Sequence, residues 1–336
     1  MNNVAQIINH TNPLDRLQQA VAPEMAQVNQ LVVDRLGAQV PLVGQLAAYL
    51  IGAGGKRIRP LLTLVAARAC GYCGVQDQLL AAAVEFVHTA TLLHDDVVDA
   101  SDQRRGKPAA NAVFGNQASV LVGDFLFARA FELMVETGNI AVLKTLARAA
   151  AIMAEGEVLQ LTLLGDLSLS QSQYEKIAGA KTAALFAASC EVGAQIAGTT
   201  PQIASALAAY GHNLGVAFQI ADDVLDYQAD ASDLGKNVGD DLKEGKVTLP
   251  IIYALQAATP EQKTFWQNIF AQPDRLTEAD FVQAKIYLEQ TNACQKALAV
   301  ANIFEAKALD ALKLLPANQY TQLLADLLPF VVGRAQ

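Results

Sequence analysis

The chain has 336 residues, 52% of them hydrophobic, and a formal net charge of -9. That size and apolar content can bury a large core, whereas the acidic balance excludes a nucleic-acid binder, which needs a basic surface to meet the phosphate backbone. No apolar run approaches the roughly 18 residues of a membrane span. The polar stretch Met1 to Pro13 lacks a basic region followed by an apolar core, so the expected address is cytoplasmic.

In chain order, helix-forming residues (Ala, Leu, Glu, Gln, Lys) dominate and period-two alternation is hard to find, which predicts an all-α protein. Breaks fall at Gly52 to Gly55, Arg105 to Pro108, Thr199 to Pro201, Asp230 to Gly245 and Pro260. None has the composition of a flexible linker, so residues 1–336 are expected to form one domain. The first break leads into Gly54-Gly55-Lys56-Arg57-Ile58-Arg59-Pro60, a glycine-led basic turn in which the backbone can approach an anion closely and Lys and Arg supply charge. It is not a Walker A loop. Of the four cysteines, only Cys70 and Cys73 have CxxC spacing, with no second pair or nearby His for zinc; all four are expected to be reduced thiols.

The apolar run Val84 to Leu93 ends in Asp95-Asp96-Val97-Val98-Asp99, and His88, Thr91, Asp95 and Asp99 fall on one helical stripe. A basic knot, Arg104-Arg105-Gly106-Lys107, follows at once, with arginines able to fork onto phosphate oxygens. Glu155, Glu157 and Gln160 either line a cavity or face solvent; the pattern does not choose between them. A second apolar run, Leu214 to Ala221, leads to Asp222-Asp223-Val224-Leu225-Asp226, with Phe218 and Gln219 one turn earlier. The polar, glycine-containing segment Asp230 to Asp241 suits an ordered loop or lid, and Lys236 and Lys246 return positive charge. Like charges at i,i+4 destabilise a helix unless a cation offsets them. Two such acid clusters predict Mg2+, which joins a few carboxylates to substrate phosphates; facing each other, they would hold a polyanion between them.

These motifs, from the basic turn through Val84 to Asp96 and Arg104-Arg105-Gly106 to Gly235-Lys236 and Gly245-Lys246-Val247-Thr248-Leu249-Pro250, resemble the trans-type polyprenyl diphosphate synthases over nearly the whole chain. Phe114-Gly115-Asn116 and Leu121 to Phe125 look most like the bacterial octaprenyl members that make quinone side chains. The resemblance implies the all-α isoprenoid-synthase (class I terpenoid synthase) bundle around a deep central cavity, as a homodimer, with transient membrane contact for product release. It implies three Mg2+ ions on Asp95, Asp99 and Asp222, with Asp96, Asp223 and Asp226 as secondary or water-mediated ligands. Arg104, Lys181, Thr182, Gln219, Lys236 and Lys246 would surround the allylic diphosphate. Lys56, Arg59, His88 and Arg105 would surround isopentenyl diphosphate, and Phe218 would pack against that substrate. Ionisation of the allylic diphosphate, attack by the isopentenyl double bond and loss of a proton would lengthen the chain by five carbons.

Product length then depends on the cavity. The resemblance puts Ala90 and Thr91, both small, at its upper wall, where members stopping at fifteen carbons carry bulky aromatics; Phe131, Leu133 or Met134 is expected at the floor. The same resemblance leaves heptaprenyl and solanesyl synthases as alternatives. A terpene cyclase fits less well, because the second acid motif and the Lys56 to Arg59 turn are both present. A non-catalytic helical subunit fits poorly, because all six aspartates are kept.

Overall fold

Alanine- and leucine-rich runs become helices along the chain. The computed structural model describes residues 12–37, 40–52, 54–104, 106–228 and 239–334, without the side chains of Ala47, Ile51 and Asp274. The elements up to the first acid cluster are α1 (Pro13–Ala20), α2 (Ala22–Arg35), α3 (Pro41–Gly52), α4 (Ile58–Ala69) and α5 (Gln76–Val98). A hairpin, β1 (Gln103–Arg104) and β2 (Lys107–Pro108), leads to α6 (Ala110–Phe114), α7 (Asn116–Glu136), α8 (Ile140–Thr162) and α9 (Gln171–Ala178). A π-helical segment (Gly179–Ala183) runs into α10 (Ala184–Ile196), and α11 (Pro201–Gln228) carries the second acid cluster. Then come α12 (Asp240–Lys243), α13 (Leu249–Ala257), α14 (Pro260–Ala271), a 3-10 turn (Pro273–Arg275), α15 (Glu278–Gln290), α16 (Ala293–Leu312) and α17 (Gln319–Gly333).

The two-stranded hairpin is the departure from the expected all-helical run. It pairs Gln103 with Pro108 and Arg104 with Lys107, and Gly106 takes the positive φ of 72° that a tight hairpin demands.

The chain forms two compact units. One comprises Met1–Ala150, Leu185–His212 and Ala308–Phe330; the other comprises Ala151–Ala184, Asn213–Lys307 and Val331–Gln336. In the first, α5 packs against α2, α4 and α7. Its Leu80, Ala81, Ala82, Ala83 and Val84 are all 0% exposed, the all-round apolar character of a helix at the centre of a bundle. In the second, Trp266 of α14 is fully buried and meets Phe265 and Tyr287 edge-on at 5.2 and 6.5 Å between centroids. All four cysteines are free thiols, and burial raises Cys70 and Cys294 to about 11. Among the described residues no helix is long and apolar enough to cross a membrane.

One buried charge in the first unit has a measurable consequence. Asp77, in the first turn of α5, is fully buried 3.2 Å from Arg68 Nη1. Burial outweighs that arginine and pushes the Asp77 carboxyl up to about 6. A carboxyl raised on folding stabilises fully below its ordinary value of 3.8 and loses that contribution as pH rises through about 6. Asp77→Asn cannot ionise, so its stability relative to the parent chain should rise by up to about 3 kcal/mol between pH 4 and pH 7. Urea unfolding at the two pH values checks this; a difference independent of pH would contradict it.

Candidate active site

The first acid cluster closes α5. Asp99 is the C-cap, its N–H donating to the Asp95 carbonyl at 2.8 Å, and the last turn contains no basic residue. Three carboxylates therefore stand at the negative end of the helix dipole, an arrangement that a bound cation relieves. Asp95 and Asp99 are half-buried, whereas Asp96 is 0% exposed. The Asp96 Oδ1 accepts from Arg104 Nε at 2.6 Å and lies 2.5 Å from Arg104 Nη2, and its carbonyl accepts from Asn111 Nδ2 at 3.0 Å. Burial pushes the Asp96 carboxyl up; Arg104 pulls it down. Arg104 leaves β1 to reach it, so the hairpin is tied to the helix it follows.

The basic turn ahead of α4 is built on positive φ: 76° at Gly54, 148° at Gly55 and 49° at Arg57. Lys56 is exposed. Arg59, half-buried, brings Nη1 to 3.2 Å from His88 Nε2 and sets its guanidinium 4.5 Å above the Phe186 ring. The expected partners Arg59 and His88 are thus in contact.

The second cluster lies in the last two turns of α11, again without a basic residue in the final turn. Asp222 is half-buried, Asp223 is 3% exposed and Asp226 0% exposed. Asp223 accepts from the Tyr174 hydroxyl at 2.5 Å and from Gln219 Nε2 at 2.6 Å; Gln219 Oε1 in turn accepts from Thr182 at 2.6 Å. This polar chain joins α9, the π segment and α11. Burial, then the neighbouring Asp241, raises the Asp223 carboxyl. Asp226 Oδ2 accepts from the Asp241 N–H at 3.3 Å and its carbonyl from the Gly239 N–H at 3.1 Å, so it fixes the start of α12.

Lys181, in the π segment, pairs with Glu157 at 3.0 Å. Gly156 admits that segment, since a Cβ there would come within 2.6 Å of the Ala180 Cβ; π turns recur at functional sites. Lys246 pairs with Glu244. Arg105 and Lys236 lie outside the described residues, as does much of the loop read as a lid. Of the expected chain-length residues, Ala90, Leu133 and Met134 are buried and Thr91 is half-buried. Phe131 is 40% exposed, on the outward side of α7, unlike the buried Leu133 and Met134.

Sequence reasoning missed Arg334, near the end of the chain. Its guanidinium lies 4.0 Å over the Phe218 ring, donates to the Phe218 carbonyl at 3.0 Å and approaches Asp222 at 3.5 Å. Burial lowers its pKa, and Asp222 opposes that. Tyr174 was also missed, and Glu157 had been left undecided. Nothing local marks Arg334 or Tyr174; their partners are far away in sequence.

Chemically, each cluster offers carboxylate oxygens, the donors a hard divalent cation takes. Among the described residues no group of three or more His, Cys, Asp or Glu could hold a metal. The half-buried aspartates fit Mg2+, which takes one or two carboxylates and completes its shell with water and phosphate oxygens.

A family model described as "Polyprenyl synthetase" matches residues 40–287, a range that includes residues of both units. Octaprenyl diphosphate synthase of Escherichia coli (strain K12) is 44% identical over 328 residues, covering 96% of this chain and 99% of that protein. A polyprenyl synthase structure from Caulobacter crescentus CB15, complexed with calcium and isoprenyl diphosphate, is 50% identical with a TM-score of 0.93, over 96% of this chain and 98% of that one. A decaprenyl diphosphate synthase structure from Rhodobacter capsulatus is 46% identical with a TM-score of 0.91, over 96% and 99% of the two chains. The fold is therefore that of the all-α prenyl synthases, and the chain belongs to the polyprenyl synthetase family.

Proposed function

We propose that this protein is a Mg2+-dependent trans-polyprenyl diphosphate synthase that condenses isopentenyl diphosphate onto farnesyl diphosphate and builds all-trans octaprenyl diphosphate. The carrying observation is that both acid clusters end helices without a basic residue in the last turn, each offering half-buried aspartates backed by buried ones. Asp95, Asp99 and Asp222 are the direct metal ligands in this reading. Asp96, Asp223 and Asp226 hold Arg104, the Tyr174–Gln219 pair and α12 in place. The calcium and isoprenyl diphosphate of the Caulobacter relative support the ligand classes, calcium being another hard cation that prefers oxygen.

When bound, Mg2+ supplies Lewis-acid stabilisation to the departing diphosphate. The chain's own donors do the rest. Arg104, Lys181, Lys236 and Lys246 orient the allylic diphosphate and offset charge as it develops. Lys56, Arg59, His88 and Arg105 hold isopentenyl diphosphate, with Phe218 and Arg334 forming a stacked pair beside Asp222. Thr182 and Gln219, locked by their mutual hydrogen bond, keep a fixed polar edge toward the reacting chain. Octaprenyl length follows the E. coli relative.

We extend the reading to a cytoplasmic homodimer whose product supplies quinone side chains. The exposed face of α7 carries Leu121, Phe131 and Val135 at 67%, 40% and 63% exposure, an apolar stripe suited to a second copy; sedimentation as a monomer would remove that part. Incubating the protein with Mg2+, farnesyl diphosphate and labelled isopentenyl diphosphate, then sizing the hydrolysed alcohols, should give the eight-unit product. A seven- or nine-unit alcohol would correct the length, and no elongation would overturn the function.

A further inference from the structure

The basic turn contains three cations within four residues, and one of them is turned inward. Arg57 pairs with Glu85 of α5, and the two side chains are only 17% and 10% exposed. Arg57 does this from the left-handed region, φ 49° and ψ 34°, which costs a residue with a Cβ on the order of 1–2 kcal/mol. Burying a carboxylate and a guanidinium together gives little net stability, since desolvation cancels much of the attraction. Strain and a desolvated pair on the same residue call for an explanation other than folding.

The helix supplies one. Glu85, Thr89, Leu92 and Asp96 follow one another at i, i+4, i+7 and i+11 along α5 and share a stripe. They line a cavity of about 20 Å3 together with Arg57 and Arg104, roughly the space of one water. The stripe lies beside the one bearing His88, Asp95 and Asp99. At one end Glu85 holds Arg57 of the basic turn; three turns on, Asp96 holds Arg104 of the hairpin. Each flanking loop is therefore fastened to the same helix by one arginine, and the first loop has further cations directed elsewhere. In the basic turn these are Lys56, which is exposed, and Arg59, which reaches His88 and Phe186.

We propose that the Arg57–Glu85 pair is a latch that positions Lys56 and Arg59, and so sets the affinity for isopentenyl diphosphate without touching it. The proposal rests on the reading of that turn as the isopentenyl diphosphate site. Arg57 is then a positioning residue: its left-handed backbone sets the direction in which the chain enters α4, and Glu85 keeps it there. Without the pair, Arg57 relaxes to an ordinary conformation and the two cations beside it lose their convergence.

The test is steady-state kinetics with each substrate varied in turn. Glu85→Gln and Arg57→Ala should raise KM for isopentenyl diphosphate about tenfold or more, as loss of an outer-shell partner does elsewhere. KM for the allylic diphosphate and kcat should change little. Arg57→Lys, which keeps the charge, should recover part of the affinity, and so should the exchange Arg57→Glu with Glu85→Arg. Glu85→Gln is nearly isosteric, so the test stands even if Arg57→Ala fails to fold. An unchanged KM for isopentenyl diphosphate, or an equal loss of affinity for both substrates, overturns the latch. Lys56→Ala and Arg59→Ala separate the two ideas: if they weaken isopentenyl diphosphate and Glu85→Gln does not, the latch alone fails. If they leave its binding intact, the assignment of the turn fails.

Discussion

Replacing Asp95 by alanine should lower turnover by about a thousandfold or more, the scale reached when one group aimed at developing charge is removed, with the helical fold retained. Asp95 is half-buried in the last turn of α5, next to Asp96 and one turn from Asp99, with no basic residue in that turn. Removing one of several like charges from the negative end of a helix relieves repulsion, so circular dichroism and the melting temperature should barely move. Asp96→Ala should, in contrast, lower stability. It strands Arg104 beside an emptied, buried position, and breaking a buried pair from one side costs about 3–5 kcal/mol. The comparison separates ligand from scaffold within one motif. Near-normal turnover of Asp95→Ala at saturating Mg2+ would contradict the metal assignment.

The second large effect concerns product length. Thr91→Tyr should give a much shorter polyprenyl product while the first condensation proceeds at close to its normal rate. Thr91 is half-buried one helical turn before Asp95, and its hydroxyl donates within the same helix, to the His88 carbonyl at 2.8 Å. Its replacement therefore breaks no bond to another element. A ring at this position, one helical turn before Asp95, would stand in the proposed tunnel wall and meet the tail of the chain as it lengthens. Ala90→Phe is the less clean variant. Ala90 is 0% exposed, and a phenyl ring forced into close packing costs about 1–3 kcal/mol, which lowers activity for reasons unrelated to length. Chromatography of the hydrolysed alcohols decides; a Thr91→Tyr product of unchanged length would sink the tunnel-wall assignment.

Much of this could be read from local pattern. Helical periodicity located the helices because the signal lies within each segment, and DDxxD spacing placed Asp95 with Asp99 for the same reason. The contact between Arg59 and His88 fits the grouping drawn from motifs. What stayed illegible depends on distance along the chain or on which side of a helix meets the core. Arg334 stacks on Phe218, more than a hundred positions earlier, and no spacing rule reaches so far. Tyr174 meets Asp223 through packing of α9 against α11. Phe131 stands among the candidates for the cavity floor, yet identity alone does not give the side of α7 on which it lies, and it is 40% exposed. The hairpin escaped notice because two residues per strand are too few to show alternation.

The split between half-buried and buried aspartates changes how related chains should be compared. In the proposed reading the buried Asp96, Asp223 and Asp226 are architectural letters, and the half-buried Asp95, Asp99 and Asp222 are the reactive ones. A paralogue could keep the former, retain its shape and partner, and be chemically silent through loss of the latter. Counting acidic residues in the two motifs would score such a chain as half intact, when what survives is the mould and what is gone is the tool.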